Sequence, residues 1–225
     1  MFNINTKWIA HRGLSSMYFE NTIKAFKEAA KLPFYGIETD IHLTKDKRII
    51  THHDDYFSIN DEKVFIKDHD YKTLNKLFKN KHHEKLPLLK EYLLICKKYH
   101  KVPVIEIKPL FNQNEINLLI DEIQKYFNIN KVIIISFHLN NLIYIYQHNK
   151  DIKCQFLISK DKDPNIEIAL KYNFDFDIYY KALTNDLSIK LKKANRLINC
   201  WTLNDSDLVL KVINLGADYI TTDGF

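Results

Sequence analysis

The 225-residue sequence contains few cysteines: three, at positions 96, 154 and 200, odd in number and far apart. Each has apolar neighbours, so they read as buried free thiols of a reducing compartment and not as a disulfide framework. Long hydrophobic runs are missing too. A run such as 132–135 has strand length, far short of the roughly 18 residues of a membrane span. Residues 1–7 are polar and lack the apolar centre of a signal peptide. Together these absences predict a cytoplasmic protein with no transmembrane segment. No internal repeat or low-complexity linker is visible, and the chain is short for two ordinary domains, so a single domain over 1–225 is expected. Nor is there a large excess of one charge. Lys and Arg number 33 against 28 Asp and Glu, a formal +5, with no clustered basic stripe of the kind that binds nucleic acid. That balance favours small anionic substrates.

What is present is a regular alternation. Hydrophobic residues make up 46% of the chain, enough for one sizeable core. Short β-rich runs at 8–10, 36–41, 103–107, 132–136, 153–157, 177–180, 197–201 and 219–222 alternate with amphipathic stretches at 22–31, 88–99, 115–127, 140–148, 165–172, 185–194 and 205–215. Asn21, Thr184 and Asn204 or Asp205 fit as helix caps. Eight strands with a helix after seven of them predict an α/β fold, a (β/α)8 or TIM barrel, because parallel strands need crossovers. A doubly wound open sheet has the same local pattern and is the alternative. Two features break the rhythm. Residues 48–51 form an extra strand, one arm of a hairpin turning at Lys45 and Asp46. Residues 54–86 then read as a polar insertion with only a short helical piece at 73–78.

The chemistry-bearing residues gather just past strand ends. His11 and Arg12 follow the first strand. Glu38 and Asp40 lie two apart on the second, so their side chains share a face, and Glu106 and Lys108 repeat that spacing on the third. Three carboxylates turned into a barrel are intolerable unpaired. Either they pair with Arg12 and Lys108, or they hold a cation, and all-oxygen ligands suit Mg2+ or Ca2+ better than zinc. A divalent ion, three carboxylates and two cationic side chains leave one positive charge, which a phosphodiester would neutralise. His11 and His53 flank the cluster. Two imidazoles, which titrate near neutrality, can serve as one base and one acid. Cleaving a phosphodiester needs both.

The joint set of segments resembles the glycerophosphodiester phosphodiesterase family. The segments are HRG (11–13), ENT (20–22), GIETDIHLTKD (36–46), HDD (53–55), LPLLKEYL (86–93), EIK (106–108), SF (136–137), WTLN (201–204) and GADYITTDG (216–224). The resemblance implies a TIM barrel and hydrolysis of glycerophosphodiesters to glycerol 3-phosphate and an alcohol. It also implies metal ligation by Glu38, Asp40 and Glu106, acid–base roles for His11 and His53, phosphate contacts from Arg12 and Lys108, and Trp201 in the substrate pocket. The glycerol 2-hydroxyl would attack phosphorus first, giving a cyclic phosphate that water opens. Related readings are a phospholipase-like activity on lysophospholipids or another phosphodiester, and a non-catalytic barrel that binds metal and phosphate.

Three departures from the family pattern stand out. Phe19 replaces the usual proline before ENT, which is expected to alter loop rigidity. Residues 55–60 (DYFSIN) replace the usual run after the histidine–aspartate pair, and Tyr56 and Phe57 would make the leaving-alcohol rim aromatic. The sequence ends at Phe225 where the family continues into a proline and a final helix. The last outer helix is therefore expected to be missing, with an apolar flank left for a homodimer.

Overall fold

The computed structural model describes residues 6–59 and 62–224. Most of the polar run 1–7, Asn60 of the segment after His53, and Phe225, on which the missing helix was read, lie outside the described residues.

Eight parallel strands close into a barrel: β1 (Lys7–Ala10), β2 (Gly36–Leu43), β6 (Val102–Ile107), β7 (Ile133–Ser136), β8 (Lys153–Ile158), β9 (Asp175–Tyr179), β10 (Ile198–Trp201) and β11 (Tyr219–Thr222). Closure comes from β1, which pairs with both β2 and β11. The open-sheet alternative is thereby excluded. Helices α1 (Ile23–Lys31), α3 (Leu89–Lys98), α4 (Gln113–Tyr126), α5 (Leu139–His148), α6 (Ile166–Lys171), α7 (Asn185–Lys193) and α8 (Ser206–Asn214) fill the crossovers. Side chains alternate along each strand. One face, including Ala10, Ile37, Ile105, Phe176 and Ile220, packs under the helices. The other fills the barrel with Ile9, Val104, Ile133, Ile135, Leu157 and Tyr219.

Thr184 and Asp205 cap α7 and α8 as expected, their side chains accepting from Leu187 N and from Asp207 and Leu208 N. At α1 the expectation fails by one residue. Thr22 is the cap, accepting from Ala25 N, while Asn21 turns away with φ 57° to meet the Asp40 carboxylate of β2. Gly13 has φ 83°, and a Cβ there would sit 2.7 Å from the Ala25 carbonyl carbon. Only glycine fits that approach of the first loop to α1.

The extra strand is β3 (Ile49–Thr51), antiparallel to β2. The insertion is far more ordered than its composition suggests. It contains a hairpin of β4 (Tyr56–Ile59) and β5 (Glu62–Phe65) and a twelve-residue helix α2 (Tyr71–His82). These enclose a small core of their own: Ile50, Phe57, Ile66, Leu74, Phe78, Leu86 and Leu88. Phe57 is thus packed inward, and Tyr56 packs on Phe65, so neither forms an aromatic rim to the active-site cavity. Phe19 stacks on His82 with ring centroids 4.0 Å apart, fastening the first loop to α2.

No helix follows β11 among the described residues. Ala10 on β1 and Ile220 on β11 are fully buried, while on α8, which borders this flank, Leu208, Val209 and Ile213 are half-buried and Leu210 is exposed. No described helix is long and apolar enough to cross a membrane.

Candidate active site

The register of β2 and β6 sets Asp40 beside Glu106, and Glu38 lies two residues below Asp40 on the same face. Carboxylate oxygens of all three approach within 4.8 Å of one another, and all three residues are buried. Burial raises Glu38 well above the usual carboxylate range, reinforced by Asp40 and Glu106. Burial, with Asp40, lifts Glu106 to about 7. Asp40 goes the other way. Burial would raise it, but Arg12 and Lys108 outweigh that and hold it below its ordinary value.

The cations do pair with the acids. Arg12 Nη1 donates to Glu20 Oε2 at 2.7 Å, and its Nε lies 3.2 Å from Asp40 Oδ2. Lys108 Nζ lies 3.0 Å from Glu106 Oε1 and 3.5 Å from Asp40 Oδ1. These cations do not satisfy the cluster. Glu38 Oε1 is buried with no hydrogen-bond donor, and Glu106 Oε1 meets only the Lys108 ammonium. Such a gap in an all-oxygen cluster fits a hard divalent cation, which takes carboxylate ligands.

Both predicted histidines line the cavity that opens onto this cluster, together with Arg12, Glu38, Glu106, Lys108 and Trp201. Each is oriented by a carboxylate. His11 Nδ1–H donates to Asp223 Oδ1 at 2.7 Å, and His53 Nδ1–H to Asp54 Oδ1 at 2.8 Å. Such a bond fixes the tautomer and leaves Nε2 free for proton transfer. The His53 backbone is held as well: its carbonyl accepts from His42 Nε2 at 3.0 Å, and the neighbouring His52 N–H donates to Asp40 O at 3.1 Å.

Three supporting residues were not assigned to the site from the sequence. Asp223 accepts from His11, from Ser15 Oγ at 3.0 Å and from Asn204 Nδ2 at 2.6 Å. The His11 bond above all, with help from Asn204, draws its carboxyl down to about 2. Asn21 donates from Nδ2 to Asp40 Oδ2 at 2.9 Å and accepts on Oδ1 from Thr39 Oγ1 and Asp40 N. Asp177 on β9 also lines the cavity, 2% exposed, with Oδ1 unpartnered. Burial, with nearby Glu106, pushes it well above the usual carboxylate range. Asp223 and Asn21 lie inside segments quoted above (216–224 and 20–22), so the motif pointed to them though their roles could not be read. Nothing in the local sequence marks Asp177, one more acid in a run of strand residues.

Backbone geometry serves the site too. Arg12 sits at φ 55°, a left-handed conformation that costs a non-glycine residue. It directs the Arg12 N–H to Glu38 Oε2 at 2.8 Å while the Arg12 carbonyl accepts from Asn21 N. A larger cavity of about 280 Å3, lined by Cys96, Lys97 and His100 among others, contains none of the site residues.

Comparison with known proteins agrees over nearly the whole chain. Residues 11–225 match the model of the glycerophosphoryl diester phosphodiesterase family. A glycerophosphodiester phosphodiesterase of Caldanaerobacter subterraneus subsp. tengcongensis is 30% identical over 231 residues, covering 98% of this chain and 95% of its own. One from Bacillus altitudinis is 27% identical, covering 97% and 94%. Among solved structures, a glycerophosphodiester phosphodiesterase from Parabacteroides distasonis superposes with a TM-score of 0.83 at 26% identity, covering 97% and 93%. An Oleispira antarctica phosphodiesterase in complex with the product sn-glycerol-3-phosphate gives 0.87 at 22%, covering 96% and 92%.

Proposed function

Because the chain belongs to the glycerophosphoryl diester phosphodiesterase family, a family of phosphoric diester hydrolases, we propose that it hydrolyses glycerophosphodiesters to glycerol 3-phosphate and an alcohol, with His11 and His53 as the acid–base pair. One observation carries the reading: two histidines, each bonded through Nδ1 to a carboxylate, share one cavity with a buried acidic triad. Arg12 and Lys108 bind the phosphate oxygens, offsetting the charge of the acids. One imidazole takes the proton from the attacking hydroxyl at Nε2. The other gives a proton to the departing alkoxide, so no strong base leaves unprotonated. Asp223 and Asp54 hold the tautomers and stabilise each imidazolium as it forms. Following the family resemblance, the attacking group is the vicinal glycerol hydroxyl, and water opens the cyclic phosphate in a second step. Glu38, Asp40 and Glu106 hold a divalent cation, Mg2+ or Ca2+, which supplies Lewis-acid stabilisation of the charge developing at the phosphoryl group. The substrate is a small molecule, and Trp201 lines its pocket.

Product formation from glycerophosphocholine, glycerophosphoethanolamine and glycerophosphoglycerol, with Mg2+, Ca2+ or chelator, tests this. Chelator should abolish turnover, and His11→Ala and His53→Ala should each lower kcat by about 100-fold or more. Full activity in either variant would refute the acid–base assignment.

A second reading has its own support. A groove of about 300 Å3 with Leu110, Leu139, Ile143 and Ile168 begins at Phe137, which also lines the catalytic cavity. It favours a lysophospholipid whose acyl chain lies in that groove. A rate on lysophosphatidylglycerol above that on glycerophosphoglycerol would decide for it.

A further inference from the structure

The mechanism leaves one buried group in the cavity without a task. Asp177 points into the barrel from β9, between Leu157 of β8 and Asn199 of β10 in the strand register. No described side chain forms an ion pair or hydrogen bond with it, and Oδ1 is closed off without a donor. Its neighbour Asn199 is engaged elsewhere, its amide on Gln155 and its carbonyl on Thr221. A carboxyl left unsatisfied in a barrel interior weakens the fold, and residues that break a packing rule in this way concentrate at functional sites.

The surroundings say what it meets. Ile135, Leu157, Phe137 and Trp201 give the cavity apolar walls, and Trp201 Nε1 is a second buried polar atom without a partner. The cavity is small, about 100 Å3, well below the size of pockets that take whole drug-like ligands. Unpartnered polar atoms beside these apolar walls match a short polyol, whose carbons need apolar contact and whose hydroxyl needs a hydrogen-bond partner. Resting on the glycerophosphodiester reading above, we infer that Asp177 is a specificity residue that hydrogen-bonds the terminal hydroxyl of the glyceryl group. Its depth assigns it to the part of the substrate common to all glycerophosphodiesters, because the variable alcohol must leave through the mouth.

The test compares a glycerophosphodiester with the matching propane-1,2-diol diester, which keeps the vicinal hydroxyl and lacks the terminal one, using the full chain with Mg2+. The wild type should prefer the glyceryl substrate by about 100-fold or more in kcat/KM, as expected when a buried polar group loses its partner. Asp177→Leu should cut that preference at least about tenfold by losing rate on the glyceryl substrate alone, and Asp177→Asn should lie between. An unchanged preference would overturn the inference. So would equal losses on both substrates, or a change confined to the ranking of leaving alcohols. Should Asp177→Leu not fold, the near-isosteric Asp177→Asn carries the same comparison. Calorimetric binding of sn-glycerol 3-phosphate and of its 1-deoxy analogue, which lacks the free terminal hydroxyl, provides a readout independent of turnover. If the wild type cleaves no glycerophosphodiester, the proposed function fails, yet the binding ratio still judges Asp177: a ratio equal in wild type and variant overturns it.

Discussion

Asp223 and Asn21 show how this candidate site depends on residues that hold other side chains in place. Asp223 holds the Nδ1 proton of His11. Asp223→Asn should leave the fold intact and lower kcat by roughly 100- to 10,000-fold, because an amide does not enforce the tautomer or stabilise the imidazolium. Its carboxyl, drawn down to about 2, sits below its ordinary value near 4. The stability this provides is present above pH 4 and lost as pH falls toward 2. Thermal unfolding across that range should show the wild type ahead of Asp223→Asn at neutrality and the gap closing on acidification. Asn21→Ala removes a donor to Asp40 and an acceptor for Thr39 and the Asp40 N–H. It should cost about 2–4 kcal/mol in denaturant unfolding, and Asn21→Gly should recover only the small part due to φ. Both residues were hidden in the sequence for one reason. Two carboxylates spaced i, i+2 announce a shared face, but a partner on another element announces nothing. Asn21 passed for a helix cap because asparagine before an amphipathic run ordinarily is one.

At the scale of elements, the barrel strands were legible and the insertion was not. Each barrel strand is a short run of β-branched and apolar residues bounded by an amphipathic helix, and the structure moves its ends by no more than two residues. The insertion carries the same signals diluted. Its strands have four residues each, and the apolar stripe of α2 (Tyr71, Leu74 and Phe78) runs through a lysine-rich window. Only packing against Ile50, Phe57 and Leu86 makes that stripe a core. His52 belongs to this packing, its ring edge-on to Phe57 with centroids 4.5 Å apart. Burial lowers it to about 4, so between pH 6.5 and 4 the unfolded chain takes up the proton and the native state does not. Stability therefore falls as pH drops through that window. His52→Phe should remove about 1–2 kcal/mol of that dependence, seen as a flatter plot of unfolding midpoint against pH. An unchanged plot would place the acid sensitivity elsewhere, with His42 the next group lowered by burial.

For the molecule as a whole, the acidic triad couples the candidate site to the stability of the barrel. Three carboxylates from two adjacent strands repel one another, and a bound divalent cation would relieve that. Mg2+ or Ca2+ at about 100 times its dissociation constant should add about 2.7 kcal/mol of stability, read as a higher unfolding midpoint. Glu38→Gln and Glu106→Gln should abolish the shift. A shift that persists in both would place the cation elsewhere. The charge pattern of this cluster was legible because it lies on two strands of clear register. The ion-pair partners of Arg12 and Lys108 were legible only as an alternative, since spacing alone does not say which carboxylate a long side chain reaches.

His11 and Asp223 are 212 residues apart in sequence and meet because β1 lies against β11. On the ribosome, the histidine is made 212 residues before its carboxylate exists. The proposed acid–base chemistry of His11 therefore waits until the ring is shut, and a chain cut short of Asp223 should be far less active than the whole even if most of its barrel has formed. Refolding inherits the same rule: recovery of turnover should follow the β1–β11 pairing, the most non-local strand pairing among the described residues, lagging behind helix formation.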